Sequence, residues 1–424
     1  MLYDLLLLLA GLLLLPFVAW RVLRSRDFRR SLPQRFGFVP HLPAAPGRVL
    51  LHGVSVGEVK ALRPLVLEFQ QQYPDRDLVI ASSTPTGLAA ARSLYTDLQV
   101  VAYPLDLPGA GRRFLARVKP TLVVLAELEI WPNFLRSCAI LKIEVAIVNG
   151  RITERSMSGY RRVQRWLPQF ERIALYGVQN QRYAERFHKL SVPKDRIVVT
   201  GNLKYDNLPT ATDDLAFQAS VWRGWSQTAQ MVVWASTHEP EELQLLQAWL
   251  QHPASVKFVA IVVPRHPRRS GALLQQLQRE MGARPLLRLS DCRERVQLPA
   301  GAVLLVDAFG ELEAIYRGVR GAFLGGSLVA HGGQNMLEAA AVGVPVVVGP
   351  HTENFLEEVA KLAAGDGLKV VKDPAEVVEW LILWLQNPEI AAICGRNATK
   401  TLESERGAAQ STILALQKSG LLVV

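Results

Sequence analysis

The feature that most constrains this chain is a rhythm of short, mainly apolar runs, separated by helical or turn-rich stretches, that occurs twice over. In the first half the runs are Arg48–Leu51, Leu78–Ser82, Val100–Tyr103, Leu122–Leu125 and Val145–Val148. In the second they are Met231–Ala235, Phe258–Val262, Ala302–Val306, Gly321–Leu324 and Val344–Val348. Runs without polar alternation fit strands covered on both faces, which is the environment of a parallel sheet flanked by helices. An α/β protein with two doubly wound domains is therefore predicted. At 424 residues, 49% of them hydrophobic, the chain is long enough to build both cores. Its three cysteines, Cys138, Cys292 and Cys394, lie too far apart for a zinc motif or a disulfide framework, and a reducing compartment fits them best.

Open α/β sheets bind ligands outside the carboxyl ends of their strands. Two such domains joined by a linker are expected to leave a cleft with strand ends on both walls, where a donor and an acceptor meet. The polar stretch near Asp206–Gln218 divides the series, giving a first domain over 26–206, a linker over 207–230 and a second domain over 231–424, whose last helix is a candidate to pack back on the first.

Leu51–Glu58, LHGVSVGE, delivers one carboxylate to a strand-to-helix junction. Apolar spacing at Leu62, Leu65, Val66 and Phe69 predicts a helix over Val59–Gln71. Gly53 and Gly57 suit a tight turn. Two readings of Glu58 stand together. Ser55 and Glu58 have capping-box spacing, and Glu58 also sits where a general base for a bound substrate would sit. In the second half, Gly325-Gly326-Ser327 and His331-Gly332-Gly333-Gln334-Asn335 precede a helical Met336–Ala341, a pattern suited to phosphate. Glu338 is placed there to accept hydrogen bonds from ribose hydroxyls. His238, Arg265 and His266 follow strands of the same series; Arg265 is a candidate phosphate partner, while each histidine is a ligand contact or a structural imidazole.

From Leu5 to Trp20 no charge interrupts a leucine-rich run, and Arg21, Arg24, Arg26, Arg29 and Arg30 follow. Residues 1–25 are therefore read as a membrane anchor rather than a cleaved signal, with the arginines holding the body of the protein on the cytoplasmic side. The run is slightly shorter than the roughly 20 residues of a comfortable span, so a tilted or monotopic insertion is open. A net charge of +10 calls for an anionic partner. Basic clusters at Arg112, Arg113, Arg117 and Lys119, and at Arg161, Arg162 and Arg165, are solvated helix faces by default. No aromatic-basic module for nucleic acid is present in the sequence.

The set HGVSVGE (52–58), ELEIWPN (127–133), NGRITERS (149–156), GNLKYD (201–206), WASTHEPEE (234–242), PRHP (264–267) and VDAFGEL (306–312), with Asn335 and Glu338 after the glycines, resembles the 3-deoxy-D-manno-octulosonic acid (Kdo) transferases. The resemblance implies a membrane-associated glycosyltransferase of the GT-B fold. Such an enzyme moves Kdo from CMP-Kdo to a lipid A precursor of the lipid IVA type in lipopolysaccharide biosynthesis, inverting the anomeric carbon without a metal or cofactor, at the inner membrane. It also implies roles. Glu58 is the candidate base and Glu127 a second catalytic carboxylate on the acceptor side, with Glu129 the weaker partner. Lys204, Ser236, Arg265, His266, Gly310, Glu311, Asn335 and Glu338 are assigned to the nucleotide-sugar. Gln334 and Met336 stand where the family usually carries histidine and proline. A transferase using another activated sugar, a sugar-nucleotide epimerase and a non-catalytic lipid-binding relative are the alternatives.

Overall fold

Alternate residues of each central strand face opposite sides, and both sides are apolar. In the first unit Leu50, Val79, Ala81, Val123 and Leu125 join one buried cluster. Their neighbours Val49, Leu51, Leu78, Ile80, Leu122 and Val124 join another. A sheet greased on both faces needs helices on both, and burying each such side chain contributes roughly 1.5–3 kcal/mol. The computed structural model describes residues 3–422 other than 5–6, 8–12, 14–15, 17–18, 21–22, 25, 164–168 and 211–214. It separates into two compact units, Met1–Asn207 with Glu405–Val424, and Leu208–Ser404.

The first unit holds β1 (Val49–His52), β2 (Leu78–Ser82), β3 (Gln99–Ala102), β4 (Leu122–Ala126), β5 (Glu144–Gly150), β6 (Leu175–Val178) and β7 (Ile197–Val199). They form one sheet in the order β3-β2-β1-β4-β5-β6-β7, parallel throughout. Strand order reverses between β1 and β4, paired with Val49 beside Leu122 and His52 beside Leu125. The single helix expected over Val59–Gln71 is two, Val56–Ala61 and Arg63–Gln72, because Pro64 at the start of the second cannot donate the N–H that would continue the first. The final helix, Ala408–Lys418, belongs to this unit. Asp206 accepts from the Gly407 and Ala409 N–H groups, both at 2.7 Å, and Ile413 and Leu416 pack in one core with Leu65 and Phe69.

The second unit holds β8 (Met231–Thr237), β9 (Val259–Pro264), β10 (Leu286–Arg288), β11 (Val303–Leu305), β12 (Ala322–Leu324), β13 (Val346–Val348) and β14 (Leu368–Val370). Its sheet order is β10-β11-β9-β8-β12-β13-β14, again all parallel. Order reverses between β8 and β12. The expected linker is corrected in its second half: Leu215–Gln218 and Val221–Thr228 are helical and belong to this unit, with Trp222 and Trp225 buried edge to face. Two buried tryptophans cannot be left in a solvated tether.

The expected anchor over 1–25 falls mostly outside the described residues, as does Arg165. Among the described residues no single helix is long and apolar enough to cross a membrane. Of the described positions there, Leu13, Trp20 and Leu23 are exposed, and the Arg24 guanidinium lies 5.1 Å from the Trp20 ring centre.

Candidate active site

At the strand-order reversal of the first sheet, the first turn of the helix after β1 and the loop after β4 carry three carboxylates. The β1 loop is held from beneath. The carbonyl of Val54 accepts from Ser82 Oγ (3.1 Å) and Thr84 Oγ1 (2.8 Å), and a Cβ on Gly53 would stand 3.0 Å from the Val59 nitrogen. Gly57 has no such crowding, so only Gly53 is demanded by the packing. His52, wholly buried under this loop, has Nε2 3.0 Å from Ser83 Oγ, and burial pushes its pKa down to about 3, so it is a neutral support.

Both readings of Glu58 hold at once. Ser55 caps the helix, its Oγ accepting from the Glu58 N–H at 3.3 Å. The Glu58 carboxylate in turn accepts from the Val54 N–H (2.9 Å) and the Ser55 hydroxyl (2.8 Å). Capping thereby fixes the side-chain direction of a half-buried carboxylate at the sheet edge.

Glu127 follows β4 with φ +60°, a left-handed backbone that costs a non-glycine residue about 1–2 kcal/mol. Its N–H is tied to the Val148 carbonyl (2.9 Å), and Arg151 Nε donates to its Oε2 at 2.7 Å. Burial raises its pKa, the charges of Arg151 and Lys204 oppose the rise, and the charge of Glu58 adds to it. Glu129, on the same loop, accepts from Trp131 Nε1 at 2.8 Å. Burial, followed by the charges of Glu58 and Glu127, pushes Glu129 up to about 7. The structure places Glu58 and Glu127 within reach of each other's charge, sets Lys204, assigned from sequence to the nucleotide-sugar, beside Glu127 instead, and adds Glu129, the residue weighted least from sequence. Arg151 was missed, although it stands in NGRITERS. Trp131 works as a donor as well as a packing residue.

In the second unit Ser236, at the end of β8, has φ +54°, and Arg265 and His266 are exposed just after β9. Arg265, an exposed residue, has its main chain anchored to the Thr237 carbonyl at 3.0 Å. Beside them Arg269 bridges Glu242 (3.1 Å) and Glu239 (3.4 Å). His238 stacks on His331 at 4.4 Å, lies 6.3 Å edge-on from His266, and has Nε2 3.1 Å from Gln334 Nε2. Burial, then the neighbouring His331 and His266, lower its pKa to about 4. Gln334, an amide donor, suits a neutral imidazole acceptor.

Asn335 lies just ahead of the helix Leu337–Ala341, whose cap is Met336, with Oδ1 accepting from the Leu337 N–H (3.1 Å) and Nδ2 donating to Glu338 (3.2 Å), and both side chains are exposed. Gly310 is exposed with φ +82° and open space where a Cβ would point. Glu311, by contrast, is engaged inside the unit by Trp222 Nε1 at 2.8 Å and by the Arg293 guanidinium.

One sequence expectation is corrected. The N–H groups of the Gly325-Gly326-Ser327 turn do not await a phosphate. The carboxylate of Glu241, wholly buried, accepts from Gly326 N (2.8 Å), Ser327 N (3.1 Å), Leu328 N (3.0 Å) and His238 N (2.8 Å). Glycine is required at 325 because a Cβ there would stand 2.5 Å from the Ser236 carbonyl oxygen and 2.8 Å from Glu241 Oε2. The signal was present in THEPEE, but a buried acid one element away cannot be told from a solvent-facing helix start by spacing alone.

A family model described as 3-Deoxy-D-manno-octulosonic-acid transferase (kdotransferase) matches residues 30–207. The chain is 33% identical over 415 residues to the 3-deoxy-D-manno-octulosonic acid transferase of Haemophilus influenzae, covering 96% of each. It is 32% identical over 421 residues to that of Bordetella pertussis, covering 94% of each. Among solved structures, UDP-GlcNAc 2-epimerase from Neisseria meningitidis bound to UDP-GlcNAc aligns with a TM-score of 0.60 over 88% of this chain and 100% of that one, at 15% identity, a likeness of fold alone. This chain, with its two parallel seven-stranded sheets of the GT-B type, belongs to the 3-deoxy-D-manno-octulosonic acid transferase family of glycosyltransferases.

Proposed function

We propose that the enzyme transfers Kdo from CMP-Kdo to an anionic lipid A precursor of the lipid IVA type, with inversion and without a metal. The work takes place at the cytoplasmic face of the inner membrane, where the apolar amino-terminal segment holds the enzyme. The observation that carries the reading is the group of three carboxylates at the strand-order reversal of the first sheet, in a chain of this family. Glu58, oriented by Val54 and Ser55, takes the proton of an acceptor hydroxyl. That oxygen attacks the anomeric carbon of Kdo from the face opposite CMP. The bond from that carbon to the phosphate oxygen breaks, CMP leaves with the electron pair, and the proton stays on Glu58.

Glu127, clamped by Arg151, positions the acceptor, and Lys204 offsets the charge around it. On the donor side, Arg265 supplies a permanently charged planar fork for the phosphate as charge builds on the leaving CMP. Ser236 and His266 flank it, Asn335 and Glu338 receive the ribose, and Gly310 offers its open backbone to the nucleotide on a turn that Glu311 braces through Trp222 and Arg293. Membrane residence suits an acceptor whose acyl chains cannot leave the bilayer.

The test is to incubate the full-length protein with CMP-Kdo and lipid IVA, with and without EDTA, and to weigh the lipid product by mass spectrometry. A lipid gaining whole Kdo residues, unaffected by EDTA, is the expected result. Unchanged lipid, or free Kdo released without transfer, overturns the reading. Stabilisation on heating by UMP and not CMP would point instead to a transferase with another activated sugar.

A further inference from the structure

The turn that joins β12 to the following segment has the makings of an anion cradle. Gly326, Ser327 and Leu328 turn successive N–H groups inward, and His238 adds a fourth from the neighbouring β8 end. It lies at the strand-order reversal of the second sheet, where this class of fold receives charged ligands. Here the cradle already holds an anion, and the anion is part of the chain. Glu241 Oε2 takes the His238 and Gly326 donors and Oε1 the Ser327 and Leu328 donors, with no solvent contact. Four N–H donors suit the ionised carboxylate, offsetting burial and the nearby Glu242 charge, which raise its pKa. The fit is built. The Ser327 hydroxyl donates to the Leu324 carbonyl and accepts from the Gly349 N–H at 2.9 Å, so the turn is tied from both sides.

We propose that Glu241 is a resident anion that fills the cradle of the second unit and acts as a positioning and specificity residue, limiting the donor to one phosphate. The inference rests on the donor reading given above. A donor with one phosphate is served by Arg265 at the exposed end of β9. A nucleoside diphosphate brings a second phosphate that needs its own N–H groups, and it finds them consumed and backed by a buried like charge. Glu241 also ties the β12 turn to His238, and the Gly326 carbonyl of that turn accepts from the Gly333 N–H at 2.8 Å.

The experiment uses the full chain and two variants. E241A removes the resident anion, and E241Q keeps the volume but turns an N–H donor toward two N–H donors. Isothermal titration compares CMP with CDP, and thermal melting is followed with and without sodium formate, using sodium chloride as the ionic-strength control. Wild type is expected to favour CMP and to melt at the same temperature in either salt. E241A is expected to shift the CDP-to-CMP affinity ratio by roughly tenfold toward CDP. Formate should raise its melting temperature and restore the wild-type ratio by reoccupying the cradle. E241Q should lose CMP affinity without formate rescue, because its side chain still fills the space.

A cooperatively melting E241A whose nucleotide ratio is unchanged, or whose stability ignores formate, overturns the proposal. Should E241A fail to fold, E241Q decides: CMP affinity equal to wild type overturns it. If wild type binds neither nucleotide, the donor reading fails, and the formate response of E241A still decides whether Glu241 is a resident anion.

Discussion

Replacing Glu129 by glutamine isolates the electrostatics of the carboxylate group. Burial, with the charges of Glu58 and Glu127, raises the Glu129 pKa from its ordinary 4.5 to about 7 in the folded protein. Between those values the folded state binds more protons than the unfolded state, so stability falls as pH rises. The contribution of protonated Glu129 is fully present below about 4.5 and is lost as pH rises through about 7. At about 1.4 kcal/mol per pH unit the ceiling is about 3 kcal/mol. Glu129 is only half-buried, and solvent screening roughly halves that, to about 1.5 kcal/mol. Glutamine keeps an oxygen for Trp131 Nε1 and removes the ionisation. The assay is urea unfolding of both proteins at pH 5, 6, 7 and 8, with midpoints converted through the slope. The variant should gain on wild type steadily from pH 5 to about 7 and then hold its advantage. Curves that stay parallel from pH 5 to 8 would refute the raised pKa of Glu129 that burial and its two neighbours impose.

Ser55→Ala removes the helix cap and one of the two hydrogen bonds that aim Glu58. It should cost about 1 kcal/mol in a denaturant titration and lower kcat more than it raises KM for CMP-Kdo. Gly325→Ala pushes a methyl toward the Ser236 carbonyl oxygen, 2.5 Å away, and should destabilise the second unit by about 1–3 kcal/mol, read as a lower melting temperature. Trp222→Phe leaves Glu311 without the indole N–H that it accepts at 2.8 Å, and should cost about 1–3 kcal/mol in the same measurement.

The fold was legible where strands are long and apolar. Leu78–Ser82 and Met231–Ala235 are strands as read, the second running on to Thr237. Leu175–Val178, Ile197–Val199, Leu286–Arg288 and Leu368–Val370 were missed because each is short and lies at or beside a sheet edge, where neighbours rather than composition decide the conformation. The capping role of Ser55 was readable because it is local. Glu241 and Glu129 were not, since their importance comes from burial and from partners on other elements. Basic residues show the same limit. Arg113 and Arg117, read as a solvated face, donate to the Phe36 and Val39 carbonyls (both 3.0 Å) and cover the Phe38 ring. Just before β2, Asp77 is the partner of the buried Arg48.

The claim on which the mechanism turns is that Glu58, held by Val54 and Ser55 at the first sheet's strand-order reversal, removes the acceptor proton. Single-turnover transfer from CMP-Kdo to lipid IVA by Glu58→Gln, beside CMP-Kdo binding by calorimetry, tests it most directly. Loss of transfer by at least about a hundredfold, the low end for general base catalysis, with donor affinity near wild type is the predicted result. A variant that retains most of its turnover, or that loses donor affinity in step with activity, contradicts it.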